Sequence, residues 1–252
     1  MAAGPSSFDR FGGIGWLERT QGALTAVEKR SLLRAIARGQ GQALTGRLAL
    51  VLGRRPSSTE VPIPPDSALA RAAEDAAADQ PPAIIGHSYR TWAFGRALAS
   101  YDEDDDLDDE LFYVAALVHD AGLAGAITGE DFTLRSAAAG ARIADGHCSP
   151  ARIELLRDGI AAHATPGITV DDDGAIPFYV QAGATCDLGG LRLHHLADDF
   201  VDDVLAEHSR AGFADDIRAR IDAEAAAVPD GRFAVLRRAG FGLAIKLAPL
   251  PD

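Results

Sequence analysis

Apolar residues recur at helical spacing along most of the chain, and no stretch alternates convincingly at the two-residue spacing of strands. Leu32, Leu33 and Ile36, then Leu44, Leu48 and Leu50, follow the helical pattern, and Gln40-Gly41-Gln42 between them predicts a break into two short helices. "GPSSFDRFGGIG" ahead of them reads as loop. "RRPSSTEVPIPP" at 54–65 is rich in proline and serine and reads as a linker. Residues 1–60 are therefore expected to form a helical arm with a linker, partly flexible, ahead of one larger domain over 61–252. In that domain Asp66 or Ser67 caps a helix through about 79, Pro81-Pro82 breaks it, and a helix holds "GHSYRTWAFGRALASY". "ELFYVAALVHDA" is apolar all round, which places it at the centre of the fold. "FTLRSAAAGARIADGH", "SPARIELLRDGIAAHA", "PFYVQAGATCDLGG", "ADDFVDDVLAEH", "FADDIRARIDAEAAAV" and "DGRFAVLRRAGF" predict further helices, with Ser149 as N-cap before Pro150. The fold class is all-α, a bundle of roughly eight to ten helices.

Composition narrows the function more than the fold. The chain has 252 residues, 47% hydrophobic and 24% charged, enough for one well-buried core. Its net charge is −13, and no stretch reads as a clear positive footprint, so nucleic acid is not expected as a partner. No apolar run approaches the length that spans a bilayer, and the N-terminus lacks the pattern of a secretory signal. Cys148 and Cys186 form neither a disulfide framework nor a CxxC motif, which fits a reduced, cytoplasmic setting. The remaining partner is a small molecule, with the arm free to pack on a second subunit as a homo-oligomer.

"ALVHDAGL" (116–123) ends an apolar run in two adjacent metal-capable side chains. Neighbouring helical residues point about 100° apart, so both reach one ion only near a helix end, which Gly122 would supply. Alone, His119-Asp120 reads first as a polar helix end. His87, placed at the start of its helix, His163 at the end of "DGIAAHA" and Asp187 at the end of "VQAGATCD" add three more such groups in apolar surroundings. A buried carboxylate needs a compensating group, and a metal is one.

His87, then His119-Asp120, then Asp187 resembles the H…HD…D signature of the HD-domain metal-dependent hydrolases. "PPAIIGHSYRTWAFGRALA", "ELFYVAALVHDAGL", "GIAAHATPGI" and "VQAGATCDLGG" are similar to its cyanamide-hydratase-like branch, over residues 62–247. The resemblance implies an HD-type helical bundle and one divalent metal held by His87, His119, Asp120 and Asp187. Zinc stands first, with manganese or iron as alternatives. Binuclear relatives carry a histidine where this chain has Leu134, Arg135 and Ser136, and His147 lies at the far end of that helix. His163 matches their second extra position and becomes a candidate acid–base group beside Asp120.

The implied activity is that of a hydrolase or hydro-lyase adding metal-activated water to a small carbon–nitrogen substrate, a cyanamide-like nitrile or an amide. The alternative is phosphohydrolysis of a nucleotide or other phosphoester, and no lysine between residues 30 and 245 speaks against it. Two other readings are a regulatory protein that kept the fold and lost the chemistry, and a two-iron oxygenase. Arg90, one turn after His87, and Trp92 are the substrate-binding candidates, although Arg90 could instead hold a ligand's carboxylate. "YDEDDDLDDE" lacks the spacing of a calcium loop and reads as an acidic helix start. "VDDDGAI" reads as a turn at Gly174, His194-His195 as surface histidines and Cys186 as core.

Overall fold

The computed structural model describes residues 7–252. The first residues of the loop expected around 4–15 lie outside the described residues. Among the described residues there are thirteen α-helices and no strand. They are α1 (Ile14–Thr20), α2 (Ala26–Val51), α3 (Ala68–Ala78), α4 (Pro82–Tyr101), α5 (Asp109–Val118), α6 (Phe132–Ala144) and α7 (Pro150–Ala162). Then follow α8 (Val170–Asp173), α9 (Ala175–Gly189), α10 (Asp198–Glu207), α11 (Phe213–Ala227), α12 (Arg232–Arg238) and α13 (Phe241–Lys246). The number exceeds eight to ten because α1, α8 and α13 are only 7, 4 and 6 residues long. Segments that short leave little periodicity to read. The turn expected at "VDDDG" is α8, closed by Gly174 at φ 94°.

The break expected at 40–42 is absent, and α2 runs unbroken for 26 residues. Thr25 and Glu28 form a reciprocal capping box at its start. Each glycine costs about 1 kcal/mol against alanine, too little to break a helix held along its length. Gln40 donates to the Ala239 carbonyl (3.1 Å) and Arg47 to the Leu247 carbonyl (2.7 Å).

Two elements set the position of everything functional. The first is α5, whose residues Leu111 to Val118 are all buried, as its apolar sequence required. Asp108 caps it, accepting from the Leu111 N–H at 3.0 Å. The second is the crossing of α4 and α9. A Cβ on Gly183 would collide with the Thr91 carbonyl, and one on Gly95 would lie 2.5 Å from the Tyr179 carbonyl. The two backbones touch there, and that contact brings His87 of α4 against Asp187 of α9.

The main apolar core runs through α1, α3, α4, α5, α7 and α9. Ile14, Trp16 and Leu17 belong to it, and Arg10 pairs with Asp158 at 2.8 Å, so the start of the described chain packs on the same core. Residues 54–66 form neither helix nor strand. A second, smaller cluster contains Ile84, Leu123, Ala164, Leu188 and Phe213. Four of these are within three positions of His87, Asp120, His163 and Asp187, so the polar residues sit at the seam between the two cores. No helix among the described residues is long and apolar enough to cross a membrane.

Candidate metal centre

α4 begins at Pro82, with proline at its first position, so His87 lies in its second turn and not at its start. His87 is fully buried. Its Nδ1 is 2.7 Å from Asp187 Oδ2. An ionised carboxylate only accepts, so the proton is on Nδ1 and the Nε2 lone pair faces away from Asp187.

His119 and His163 are delivered by one local device. Each is the C-cap of its helix, α5 and α7, in helical conformation. Each turns Nδ1 back onto the carbonyl three residues earlier, Ala116 at 2.7 Å and Ile160 at 2.5 Å. A carbonyl only accepts, so both Nδ1 atoms carry the proton and both Nε2 atoms carry a lone pair. Gln181 of α9 fixes the end of α7 by donating to the His163 and Thr165 carbonyls at 2.6 and 2.8 Å.

The chain leaves helical geometry at Asp120 (φ −106°, ψ 8°), and a 3-10 turn follows at Ala121–Ala124. This departure, not Gly122, aims Asp120 at the histidines. The glycine has a different task. A Cβ there would run into the Phe132 carbonyl, so Gly122 lets the turn lie against the start of α6. Its N–H donates to Ser136 Oγ at 2.9 Å, and Arg135 Nη2 donates to its carbonyl at 3.1 Å.

Three imidazole lone pairs converge on one carboxylate. Asp120 Oδ2 is 3.5 Å from both His87 Nε2 and His119 Nε2, and Asp120 Oδ1 is 3.7 Å from His163 Nε2. Donor atoms of His87, His119 and Asp120 all lie within 4.8 Å of one another. His87 Nε2 and His119 Nε2 are buried without a hydrogen-bond partner. Four acceptors facing one another repel unless a cation or protons lie between them. The donor set is that of a divalent transition-metal site, and the residues fit one.

The electrostatics point the same way. Burial drives His119 down to about 3, so its imidazole is neutral, as a ligand must be. Burial pushes the Asp120 carboxyl up, and what outweighs it and holds the carboxyl below the ordinary range is positive charge on the side of His119, His163 and His87, where a bound cation would lie. Asp187 behaves alike: burial raises it, and Arg90, His87 and Arg210 together keep it ionised.

Asp187 stands behind His87, outside the group of three, and three side chains make four hydrogen bonds to its carboxylate and carbonyl. Besides His87, Arg90 Nε donates to Oδ1 at 2.8 Å, and Arg210 Nη1 donates to Oδ1 and to the main-chain carbonyl. Arg90 is itself fully buried and donates to the His208 and Ser209 carbonyls at 3.0 and 2.9 Å. It thus holds a carboxylate, and only its buried Nη2 is left without a partner. Trp92 lies about 140° around α4 from His87 and packs edge-to-face on Tyr113 at 5.1 Å in the main core. His147 is exposed beyond the end of α6. Arg210 and Phe213 were not visible as site residues in the sequence. Phe213 stacks on His87 at 5.2 Å and lies under the Arg90 and Arg210 guanidiniums at 4.7 and 4.8 Å. Arg210 lies in the loop of "SRAGF" and Phe213 starts the helix after it, where nothing distinguishes them from surface residues.

Residues 84–201 match the HD domain family, and that span contains His87, His119, Asp120, His163 and Asp187. No curated protein matches the chain. The family is all-α, binds divalent metal and consists mostly of metal-dependent hydrolases, so the match supports an enzyme of that kind.

Proposed function

With the match of residues 84–201 to the HD domain family as the premise, we propose that this chain is a metal-dependent hydrolase that adds water to a small uncharged carbon–nitrogen compound, a nitrile or an amide. The single observation behind this reading is that Arg90, Arg210 and Arg135, beside the cluster, are each held by the protein's own carboxylates and carbonyls. Arg90 and Arg210 are spent on Asp187, and Arg135 on the Gly122 and Glu130 carbonyls and on Glu224. Of these three only Arg90 leaves a buried donor without a partner, Nη2, so a phosphoester would arrive with charge that no exposed guanidinium receives. The cluster is also enclosed, with Asp120 4% and His163 5% exposed, which suits a small substrate.

His87, His119 and Asp120 would hold one ion, zinc before manganese or iron. When bound there, a divalent ion supplies Lewis acidity and lowers the pKa of a water towards about 7. Asp187 keeps the His87 lone pair aimed inward, as Ala116 and Ile160 do for His119 and His163. His163 Nε2, beside Asp120 Oδ1, is placed to take a proton and return it to the leaving or newly formed nitrogen. Asp120 shares that proton path while it holds the ion. The stacked Phe213 and the apolar seam exclude bulk water from the histidines.

A panel assay on the purified protein beside elemental analysis tests this. Metal bound in one-to-one ratio, with ammonia or a urea-type product released from a nitrile or amide, is the expected result. Released phosphate from a phosphoester with no carbon–nitrogen turnover would replace the reading with phosphohydrolysis, the commoner activity of the family. Asp120→Ala should lose both metal and turnover, and unchanged values for both would remove the assignment of the centre.

A further inference from the structure

We propose that α2 docks on α10 of a second copy of this chain, forming a twofold dimer. The outer side of α2 is left uncovered. Leu44 is 70% exposed, Leu48 59% and Val51 83%. With Leu33 and Ala37 they lie within about 60° of one another on the helical wheel. Leu243 of α13 and Leu247 just past its end, 61% and 53% exposed, extend the patch, because Arg47 ties α2 to the Leu247 carbonyl. So many open leucines on one face make a patch of the size that marks an interaction surface. Beside Gly41 there is open space, so a second helix can approach closely at the middle of the stripe.

Charge identifies the occupant. Residues 26–59 carry seven Lys and Arg against Glu28 alone, in a chain of net −13. No stretch read as a clear positive footprint in the sequence, yet α2 and the residues just after it concentrate one. Arg30, Arg34 and Arg38 form an i, i+4, i+8 row beside the apolar stripe. All three are exposed, and no hydrogen bond or ion pair holds them among the described residues. On α10, Asp199, Asp203 and Glu207 form a row of the same spacing, exposed and without a cationic partner among the described residues. Each row spans about 12 Å, so three guanidiniums can meet three carboxylates in register.

The segment that follows α2 also lies against the start of α10. Arg55, just past α2, pairs with Asp198 at 2.8 Å, and the Ala197 N–H donates to Thr59 Oγ1 at 2.8 Å. A single twofold axis can therefore lay each α2 on the other copy's α10, so that both rows are used twice and the contact closes.

Sedimentation of the full chain at micromolar concentration tests this. A dimer that weakens as salt rises is expected. Arg34→Glu should raise the dimer dissociation constant about tenfold or more, and Asp203→Arg in the same chain should restore it, since each reversed charge meets the other across the axis. Leu48→Asp should yield monomer with unchanged circular dichroism and melting behaviour. A monomeric wild type overturns the proposal. So does failure of the paired reversal to rescue when both single variants melt normally. Binding of the monomer to anionic vesicles or to nucleic acid through the same arginines would assign α2 to that ligand instead.

Discussion

Three histidines hold the same tautomer for separate reasons, a carboxylate for His87 and a main-chain carbonyl for each of the others. This makes two residues separable by experiment. Asp187→Asn keeps the shape but weakens the acceptor that orients His87. If Asp187 acts through His87, metal affinity should fall about 10- to 100-fold in a zinc titration. Complete loss of binding would make Asp187 a direct ligand, as the H…HD…D resemblance implies. His163→Gln should keep the metal and lower kcat by about 10²- to 10⁴-fold. Loss of metal in that variant would show that His163 completes the ligand set. His87, His119, Asp120, His163 and Asp187 could each be singled out in the sequence, because metal-capable groups in apolar surroundings have few other uses. Which nitrogen or oxygen each one offers was not, since that depends on the carbonyl or carboxylate behind it.

Among the elements, the crossing of α4 and α9 carries the most. Gly183→Val would drive a branched side chain into the Thr91 carbonyl and separate His87 from Asp187. A loss of roughly 1–3 kcal/mol in denaturant unfolding is expected, together with weaker metal binding. The start of α6 gives a pH prediction. Asp131 caps that helix and accepts from Arg232 of α12 at 2.9 Å, both of them buried. Burial raises the Asp131 carboxyl, but Arg232 and the Thr133 donors outweigh it and lower its pKa. A carboxylate with a depressed native pKa adds stability above its unfolded value, about 3.9, and loses it as pH falls towards the native value. Asp131→Asn should therefore flatten the fall in stability below about pH 4. It should also cost about 3–5 kcal/mol at neutral pH, because Arg232 is left buried without its counter-charge. Helix identities here followed from apolar spacing and caps such as Ser67, Asp108 and Ser149. The unbroken α2 did not, because its support comes from carbonyls about 200 residues later in the chain.

At the scale of the molecule, the first described residues are part of the main core. Trp16 is 3% exposed and Leu17 fully buried, and Trp16 Nε1 donates to Glu28 Oε1 at 2.8 Å. Trp16→Ala should cost about 3–5 kcal/mol in equilibrium unfolding, against little loss if this segment were a loose arm. Spacing alone could not show this. A seven-residue helix has too few turns to display a face, and its long-range contacts are with α6 and α7, far along the chain.

The sequence by itself determined the all-α class, the buried α5 and the residue types of the centre. Those depend on local periodicity, capping and the rarity of unpaired polar groups in apolar stretches. Tertiary structure alone decided that Asp120 leaves helical geometry to face three imidazoles, that Asp187 meets the far nitrogen of His87, and that Arg90 and Arg210 are spent on Asp187. Each of these is a contact between elements distant in sequence, fixed by how closely backbones approach at Gly122 and Gly183, and a side chain's direction is set only when that approach is made.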